Sequence, residues 1–314
     1  MGTPDFAVPS LVAMHERGWT ILAVLCQPDK PAGRGMKLTP PPVKVKALEL
    51  GLTVLQPAKL RDAGVLAQLS ELAPDVIAVV AYGKILPKSL LDLPKLGCVN
   101  VHASLLPRLR GAAPIHHAVL RGEPRSGVTI MKMDEGMDTG DMLVWEEVAL
   151  DPRETAGSLH DRLAPLGAKL LVRALDGLRD GSVKPVVQDH AGATMAPKLS
   201  NDLGRIEWAR PAEEVDRHVR GCTPFPGAFT FLERKRLRVN EAHVAPRSED
   251  QCAGEAGQVL EATPDRGIIV ACGTGALAVT RLQLEGRKAQ GVREFLMGHQ
   301  VRGGARLGAE SGDQ

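Results

Sequence analysis

The sequence predicts an α/β protein with a doubly wound, mostly parallel sheet, followed along the chain by a smaller β-domain. Short, continuous apolar runs at 21–26 and 75–81 are typical of strands that are buried on both faces, as in a parallel sheet. Segments of helical length at 8–17, 43–50 and 61–72 separate and flank these runs. Strands and helices that alternate at this spacing indicate a doubly wound sheet.

The same alternation continues further along the chain. We predict a strand at 98–102, a helix at 113–121, a strand at 127–133 and a long helix at 158–178. These elements complete a first domain, which we place at 1–188.

The pattern changes after this domain. Short apolar runs now alternate with glycine and proline, at 228–232, 237–239, 257–262, 267–272 and 277–284. Such runs are typical of a small β-barrel or sandwich, and we predict an OB-like barrel. The predicted β-domain covers 201–314, and a linker at 189–200 joins it to the first domain.

Composition excludes several classes of protein. The net charge of +2 over 314 residues does not by itself indicate a nucleic-acid binder. Five widely spaced cysteines without a C-x-x-C pair predict reduced thiols rather than disulfides or a zinc ribbon. No run reaches the ~20 apolar residues that span a bilayer, and no signal peptide is evident. We therefore expect a cytoplasmic protein with no membrane partner. We also expect a monomer, although nothing in the composition bears on the oligomeric state.

The first residues have the composition of a turn. Gly-Thr-Pro-Asp-Phe at 2–6 is typical of the turn that follows the first strand of an α/β unit. A missing central strand would leave the backbone groups of its neighbours unpaired. We therefore expect about 5–7 further apolar residues upstream of Met1.

Two sets of polar side chains lie at or just beyond the carboxyl ends of predicted strands. Asn100 and His102 alternate along one strand and therefore share a face. Asp138 lies in the acidic, glycine-containing loop 133–141, which follows the strand at 127–133. Because open α/β sheets bind ligands at the carboxyl ends of their strands, we expect both groups at that edge. A lone histidine is more often structural, but a polar pair at the end of an apolar strand favours function.

Several motifs carry a resemblance to one enzyme family. Asn100 and His102 are followed by Ser-Leu-Leu-Pro at 104–107 and Arg-Gly-Ala-Ala-Pro at 110–114, and Met-Asp-Thr-Gly-Asp lies at 137–141. Further matching segments lie at 2–6, 27–35, 81–87 and 282–288. In these motifs, which extend over nearly the whole chain, the sequence resembles the folate-dependent formyltransferases.

The resemblance implies a Rossmann-like formyltransferase domain, 10-formyltetrahydrofolate as formyl donor, and Asn100, His102 and Asp138 as the catalytic set. The chemistry agrees, because attack of an amine on a formyl carbonyl gives its oxygen negative charge. The Asn100 amide and a protonated His102 would donate to that oxygen, and loss of such a donor costs about 3–4 kcal/mol. Asp138 would orient His102 and accept the proton of the amine through a water. No metal is required, and the acidic loop does not have the EF-hand spacing of a calcium site.

The resemblance also implies that the folate lies against two loops. The predicted contact residues are Ser104, Leu105, Leu106, Pro107, Tyr82, Gly83 and Ile85. Glycine and proline loops expose the backbone groups that the polar edge of a pterin requires.

Two basic regions favour initiator methionyl-tRNA as the acceptor. The loop 27–46 is rich in lysine, arginine, proline and glycine, and we predict a mobile, projecting arm. A basic run alternates along a strand of the β-domain, where barrels commonly follow a nucleic-acid backbone. The predicted contact residues are Arg34, Lys37, Lys44, Arg234, Lys235, Arg236 and Lys288. Simple solvated surface charge is the alternative for both regions.

Three other functions remain as alternatives. An amino-sugar nucleotide or another small amine would be the acceptor in a related enzyme, and an assay with both acceptors separates the two. A non-catalytic RNA-binding protein would keep its function after His102→Ala. A dinucleotide-dependent oxidoreductase is disfavoured, because no G-x-G-x-x-G follows a predicted strand.

Overall fold

The computed structural model describes residues 1–32, 35–246 and 254–308. The chain divides into two compact units. Unit 1 consists of Met1–Ile115, Arg125–Ala149 and Leu159–Pro197. Unit 2 consists of His116–Pro124, Leu150–Ser158 and Lys198–Gln314. The domain bounds at 1–188, 189–200 and 201–314 stay predictions.

The helices and strands are bounded as follows. The α-helices are α1 (Val8–Glu16), α2 (Pro42–Glu49), α3 (Ala63–Glu71), α4 (Lys88–Leu91), α5 (Pro114–Arg121), α6 (Ala156–Asp180), α7 (Ala212–Gly221) and α8 (Val292–Gly298). The first eight strands are β1 (Val24–Leu25), β2 (Lys30–Ala32), β3 (Lys37–Thr39), β4 (Val54–Leu55), β5 (Ile77–Val79), β6 (Cys98–His102), β7 (Arg125–Lys132) and β8 (Met142–Ala149). The remaining strands are β9 (Ala228–Leu232), β10 (Lys235–Val244), β11 (Val259–Thr263), β12 (Gly267–Ala271), β13 (Ala276–Leu284) and β14 (Gln290–Gly291).

The sheet of unit 1 is mixed rather than mostly parallel. Strand β1 pairs with β4 and β5 pairs with β6 in parallel, whereas β7 is antiparallel to both of its neighbours, β6 and β8. Strand β7 runs opposite to β6, and β8, which was not predicted, pairs with β7 and returns to the direction of β6. The expectation of a mostly parallel sheet is therefore correct only for the first half of unit 1.

Helix α6 packs on the sheet of unit 1 through β6. A Cβ atom added at Gly167 would come within 2.8 Å of Val101 Cγ1, so only glycine permits this approach. Val101 lies on the face of β6 opposite to Asn100 and His102, because side chains alternate along a strand. The polar pair is therefore left on the face away from this contact.

Residues 1–2 lie between β1 and β5. Gly2 forms a parallel bridge with Val80, and its N–H donates to Leu25 O at 2.9 Å. The α-amino group of Met1 donates to Ala78 O at 2.7 Å, and burial lowers its pKa to about 6. A cavity of about 330 Å³, lined largely by apolar side chains, lies beside these residues. The expectation of an upstream strand stays a prediction.

Unit 2 contains an antiparallel sheet in the order β11-β12-β13-β10-β9, with β14 paired to β13. Apolar side chains of this sheet, α7 and α8 form one core that includes Val215, Leu237, Val279 and Phe295. No sheet is closed in the parts of the chain that the structure describes, because β9 and β11 remain at the edges. The five runs predicted as strands correspond to β9 through β13, since alternation of apolar residues is a local signal.

Candidate active site

Asn100 and His102 lie on one face of β6, as the alternation predicts. Asn100 is half-buried and His102 is 4% exposed. Strand β6 ends at His102, next to β5 on the parallel side and β7 on the antiparallel side. The chain then enters the loop 103–113, which leads to helix α5 and makes several backbone contacts with the site on the way.

The loop 133–141 reaches the pair by a different route from the predicted one. We expected it at the carboxyl edge with the end of β6, but β7 is antiparallel to β6. Lys132, the last residue of β7, is aligned with Val99 near the start of β6. The loop folds back from there, and the expectation was wrong because it assumed that the two strands are parallel.

The three predicted catalytic side chains nevertheless converge. Asn100 Nδ2 lies 3.5 Å from Asp138 Oδ1, and His102 Nδ1 lies 3.7 Å from Asp138 Oδ2. The Gly111 N–H donates to Asp138 Oδ2 at 2.8 Å. The carboxylate therefore lies between an amide, an imidazole and a backbone donor.

The backbone of the next loop fixes the orientation of His102. His102 Nε2 lies 2.9 Å from Leu109 O. A carbonyl oxygen only accepts, so Nε2 carries the hydrogen of this bond. Nδ1 is then the ring atom turned toward Asp138, and the imidazole cannot rotate without breaking its hydrogen bond to Leu109.

The loop 104–107 is held by hydrogen bonds to Arg108 and to Thr129 of β7. Ser104 Oγ donates to Arg108 O at 2.7 Å, and Ser104 O accepts from Thr129 Oγ1 at 2.7 Å. The Leu106 N–H donates to the same Thr129 hydroxyl at 3.1 Å. Ser104 is 1% exposed, so its hydroxyl stabilises the loop and is not turned toward a ligand.

The other predicted folate contacts differ in their exposure. Leu105 and Pro107 are half-buried. Ile85 is 84% exposed, and Gly83 beside it is exposed too. Tyr82 is 1% exposed and its ring belongs to the core of unit 1, so the ring does not form part of the exposed surface of this segment. Because β5 and β6 are parallel neighbours, the loops that follow them lie at the same edge of the sheet.

The buried thiols of unit 1 are chemically inert. Burial raises the pKa of the Cys98 thiol to about 12 and also raises the pKa of Cys26. At neutral pH both groups are then thiols, whereas the thiolate is the reactive form. Neither cysteine is a candidate nucleophile, although Cys98 is in the same strand as Asn100.

The predicted basic arm contains a short hairpin. Strands β2 and β3 pair within 27–46 and leave Lys37 exposed. Lys44 Nζ lies 2.8 Å from both carboxylate oxygens of Asp29, and this hydrogen bond, with a second from Gln56, lowers the pKa of Asp29. Lys44 therefore ties α2 to the base of the hairpin. Arg34, the other predicted contact in this region, lies outside the described residues.

The basic residues of unit 2 gather at one end of its sheet. Arg234, Lys235 and Arg236 lie at the turn between β9 and β10, and Lys288 follows β13. The Glu285 N–H donates to Arg236 O at 2.9 Å and joins the two segments. All four cations are exposed. We call this group the basic end of unit 2.

Sequence reasoning missed the groups that hold Asp138. Gln188 Nε2 donates to Asp138 O at 2.9 Å, and Gly111 supplies the amide described above. Arg110 is 6% exposed and donates to Gln188. The sequence offered one signal of this network. Arg110 lies between a leucine and Gly-Ala-Ala, and a cation that is buried in such apolar surroundings needs hydrogen-bond acceptors.

The described part of the chain has neither a metal-binding cluster nor a membrane-spanning helix. No group of three or more His, Cys, Asp or Glu side chains within 1–32, 35–246 and 254–308 is placed to hold a metal ion. Over the same residues, none of the helices combines the length and apolar character that crossing a membrane requires.

Comparison with known proteins identifies relatives for both units. The family model described as "Formyl transferase" matches residues 1–175, and the model described as "Formyl transferase, C-terminal domain" matches residues 198–300. A protein named methionyl-tRNA formyltransferase from Geobacter metallireducens is 50% identical over 308 residues, covering 98% of this chain and 97% of that protein. A protein of the same name from Myxococcus xanthus is 48% identical over 305 residues, covering 97% of this chain and 96% of that protein.

Solved structures share the fold. WlaRD, a sugar 3N-formyl transferase crystallised in the presence of dTDP and 5-N-formyl-THF, aligns with a TM-score of 0.65 at 17% identity, covering 91% of this chain and 97% of that chain. HypX from Aquifex aeolicus, in complex with tetrahydrofolic acid, aligns with a TM-score of 0.58 at 20% identity, covering 79% of this chain and 43% of that chain. A Rossmann-like first unit with a mixed sheet and a second unit with an antiparallel sheet are therefore confirmed.

Proposed function

This chain belongs to the formyl transferase family, and we propose that it transfers the formyl group of 10-formyltetrahydrofolate to the α-amino group of initiator methionyl-tRNA. The single observation that carries the proposal is the meeting of Asn100, His102 and Asp138 around one point, with atoms 3.5 and 3.7 Å apart. The name shared by relatives at up to 50% identity supports the acceptor, and formylated methionyl-tRNA serves translation initiation.

Asn100 and His102 stabilise charge in this reaction. As the amine attacks, the formyl oxygen gains negative charge, and the amide hydrogens of Asn100 donate to it. The contact from His102 Nε2 to Leu109 O leaves Nδ1 on the side of Asp138. A proton on Nδ1 then gives the ring a positive charge beside the reacting oxygen. Donors fixed in advance by the fold need no reorganisation at the moment of reaction.

Asp138 accepts the proton of the amine. A free α-amino group titrates near pH ~7.7–8.0, so a usable fraction is neutral and nucleophilic at neutral pH. Asp138 is more exposed than His102, with 18% of its side chain accessible, and so reaches a water or the attacking amine. No covalent enzyme intermediate is needed.

The residues present fit a folate at the edge of the sheet that carries the site. Ile85 and Leu105 offer apolar surface on the two loops that follow the parallel strands β5 and β6. An aromatic pterin that covers Ile85 would remove that side chain from water, which is favourable by about 25 cal/mol per Å². Hydrogen bonds to Arg108 and Thr129 hold the loop 104–107 in place, so this loop offers the pterin a fixed surface. The bound folate supplies the formyl carbon: its bond to the folate nitrogen breaks as the bond to the amine forms, and the leaving nitrogen takes up the proton that Asp138 accepted.

The tRNA contacts are assigned to exposed cations. Lys37 on the hairpin and the basic end of unit 2 are exposed and suit phosphates of the acceptor arm, and Arg34 is assigned by resemblance. Unit 2 is then the tRNA-binding domain, with 1–188 as catalytic domain and 189–200 as linker. An OB-like barrel for unit 2, a monomeric state and a cytoplasmic location are further parts of the proposal.

A formylation assay tests the function. Purified protein is incubated with initiator tRNA carrying radiolabelled methionine and with 10-formyltetrahydrofolate, and the released amino acid is separated from formylmethionine. We expect formylmethionine only when both substrates are present. Absence of formylmethionine under conditions where the protein is folded overturns the proposal.

The same assay separates the alternative acceptor. An amino-sugar nucleotide replaces the charged tRNA, with the same folate. Formyl transfer to the sugar, without transfer to methionine, would establish the other specificity. Elongator methionyl-tRNA serves as a control for the choice between tRNAs.

A further inference from the structure

Asp138 adopts a backbone conformation that the loop alone does not favour. Its φ is +54°, in the left-handed region, which is unfavourable for a residue that is not glycine. Two residues later, a Cβ atom at Gly140 would lie 2.0 Å from Lys132 O. The surrounding structure must therefore hold this loop in place for its carboxylate to reach Asn100 and His102.

Gln188 supplies that restraint. Its Nε2 donates to Asp138 O at 2.9 Å and to Gly140 O at 2.6 Å. Both amide hydrogens are thus used on the backbone that flanks the strained peptide. Gln188 is 3% exposed, so water does not compete easily for these bonds.

Arg110 fixes the orientation of the Gln188 amide. Arg110 Nε and Nη2 lie 3.2 and 2.6 Å from Gln188 Oε1, and Nη2 also contacts His190 Nδ1 at 3.0 Å. A guanidinium only donates, so the amide oxygen must face Arg110 and its nitrogen must face the two carbonyls. If the Gln188 amide were flipped, its NH₂ group would face the donors of Arg110 and its oxygen would face the carbonyl oxygens of Asp138 and Gly140.

The tripeptide 109–111 joins this network to His102 and to Asp138. Leu109 O accepts from His102, Arg110 holds Gln188, and the Gly111 N–H donates to Asp138. At Gly111 φ is +117°, and a Cβ atom would lie 2.7 Å from Ala196 O, so glycine is required. The segment that orients the imidazole therefore also carries the cation that orients Gln188.

We propose that Gln188 is a positioning residue for Asp138, and that Arg110 sets the orientation in which Gln188 does so. The inference rests on the proposed function, because it concerns the group that accepts the proton. Without Gln188 the loop relaxes toward negative φ and the carboxylate moves away from Asn100 and His102. Displacement of a reacting group by about 1 Å lowers the rate on the order of 100-fold.

The test compares two variants of similar size. Gln188→Met removes both polar ends of the amide, whereas Gln188→Glu keeps an acceptor for Arg110 and removes the donors to the carbonyls. We expect kcat to fall by about 10- to 100-fold in both, with KM for the tRNA and for the folate within about two-fold of the parent. Gln68→Glu, at an exposed position of α3, is the matched control and should leave kcat unchanged.

A double-variant cycle distinguishes positioning from a general structural role. If Gln188 acts through Asp138, Gln188→Met lowers kcat by less than about two-fold when Asp138 is already alanine. A full and independent loss on the Asp138→Ala background overturns the proposal, as does a parent-like kcat in Gln188→Met. A rise in both KM values with unchanged kcat overturns it too.

Hydrogen exchange gives a readout that does not depend on the reaction. Amides of the peptide 133–141 should exchange faster in Gln188→Met than in the parent, while peptides from unit 2 stay unchanged. Unchanged exchange in 133–141 overturns the proposal even if the formylation assay succeeds. If the parent forms no formylated product but exchange does increase, the proposed function fails while the restraint by Gln188 stands, so the two failures are distinguishable.

Discussion

The two compact units place their candidate functional side chains in different surroundings. In unit 1, Asn100, His102 and Asp138 meet in a partly buried cluster whose members are fixed by hydrogen bonds to backbone and to Gln188. In unit 2 the cations of the basic end are exposed, although the same unit also holds a buried carboxylate, Asp216, which pairs with Arg153 and Arg220. Proton transfer tolerates errors of less than about 1 Å, whereas attraction to phosphates acts over about 8–10 Å in salt. Catalytic side chains must therefore be positioned more accurately than phosphate-binding side chains, because their interactions act over a shorter range.

The largest expected effect is loss of a catalytic group in unit 1. His102→Ala and Asp138→Ala should each lower kcat on the order of 10³-fold, because each removes charge stabilisation or a proton acceptor. The KM for tRNA should stay within about three-fold, measured in the formylation assay. Glu135→Ala, at an exposed position of the same loop, is the control. Equal changes in kcat and in KM would contradict the assignment of catalysis to unit 1 and of tRNA binding to unit 2.

A smaller effect is expected at the basic end of unit 2. The double change Arg234→Ala with Lys288→Ala should raise KM for tRNA by about 3- to 10-fold near 0.15 M salt and leave kcat unchanged. The slope of log KM against log salt should fall by about 2, one for each phosphate that the protein no longer neutralises. Arg302→Ala changes an exposed cation elsewhere in unit 2 and serves as the comparison. A KM equal to that of the parent at every salt concentration would refute the assignment of these cations to tRNA.

The basic loop 27–46 of unit 1 sharpens the comparison, because Lys44, one of its predicted tRNA contacts, is already paired. Lys44 forms an ion pair with Asp29, and their side chains are only 22% and 26% exposed. If Lys44 acts by anchoring the hairpin, Asp29→Asn and Lys44→Ala should raise KM for tRNA by the same factor, about two- to five-fold. If Lys44 instead binds phosphate, Asp29→Asn should leave KM unchanged or lower it. Lys37→Ala, which changes an exposed side chain of β3, should weaken tRNA use in either case.

The smallest expected effect is a dependence of stability on pH in unit 2. Burial lowers the pKa of His218 below its ordinary value of 6.5. In the unfolded chain the imidazole keeps its ordinary value and so binds more protons near pH ~6 than the folded chain does. Stability contributed by the neutral ring is therefore full above pH ~7 and is lost as the pH falls through about 6.5.

The measurement is the Tm of the protein at about pH 7.5 and about pH 5.5. His218→Gln should reduce the fall in Tm between these values, because glutamine does not take up a proton in the unfolded chain. His243→Gln, at an exposed position of β10, is the matched control. An identical fall in Tm for the parent and for His218→Gln would show that this histidine does not contribute.

Local patterns were sufficient for most of the elements. The strand at 98–102 is predicted with its observed bounds, and the long helix is predicted to within about two residues at each end. The short motifs indicate Asn100, His102 and Asp138 without any knowledge of their distances. The hairpin of β2 and β3 was missed because its residues show neither clear alternation nor a continuous apolar run. Strand β8 was missed although it begins with a short apolar run at 142–145, because that run gives way to the charged pair Glu146 and Glu147.

From the amino-acid order alone came the succession of elements, the family and the candidate reacting groups, since periodicity and motifs are properties of neighbouring residues. The direction of β7, the pairing of Lys44 with Asp29 and the hold of Gln188 on a loop 50 residues away came from the folded chain. Strand direction and long-range hydrogen bonds depend on which segments pack together, and hydrophobic burial sets that packing over the whole chain rather than within any one segment.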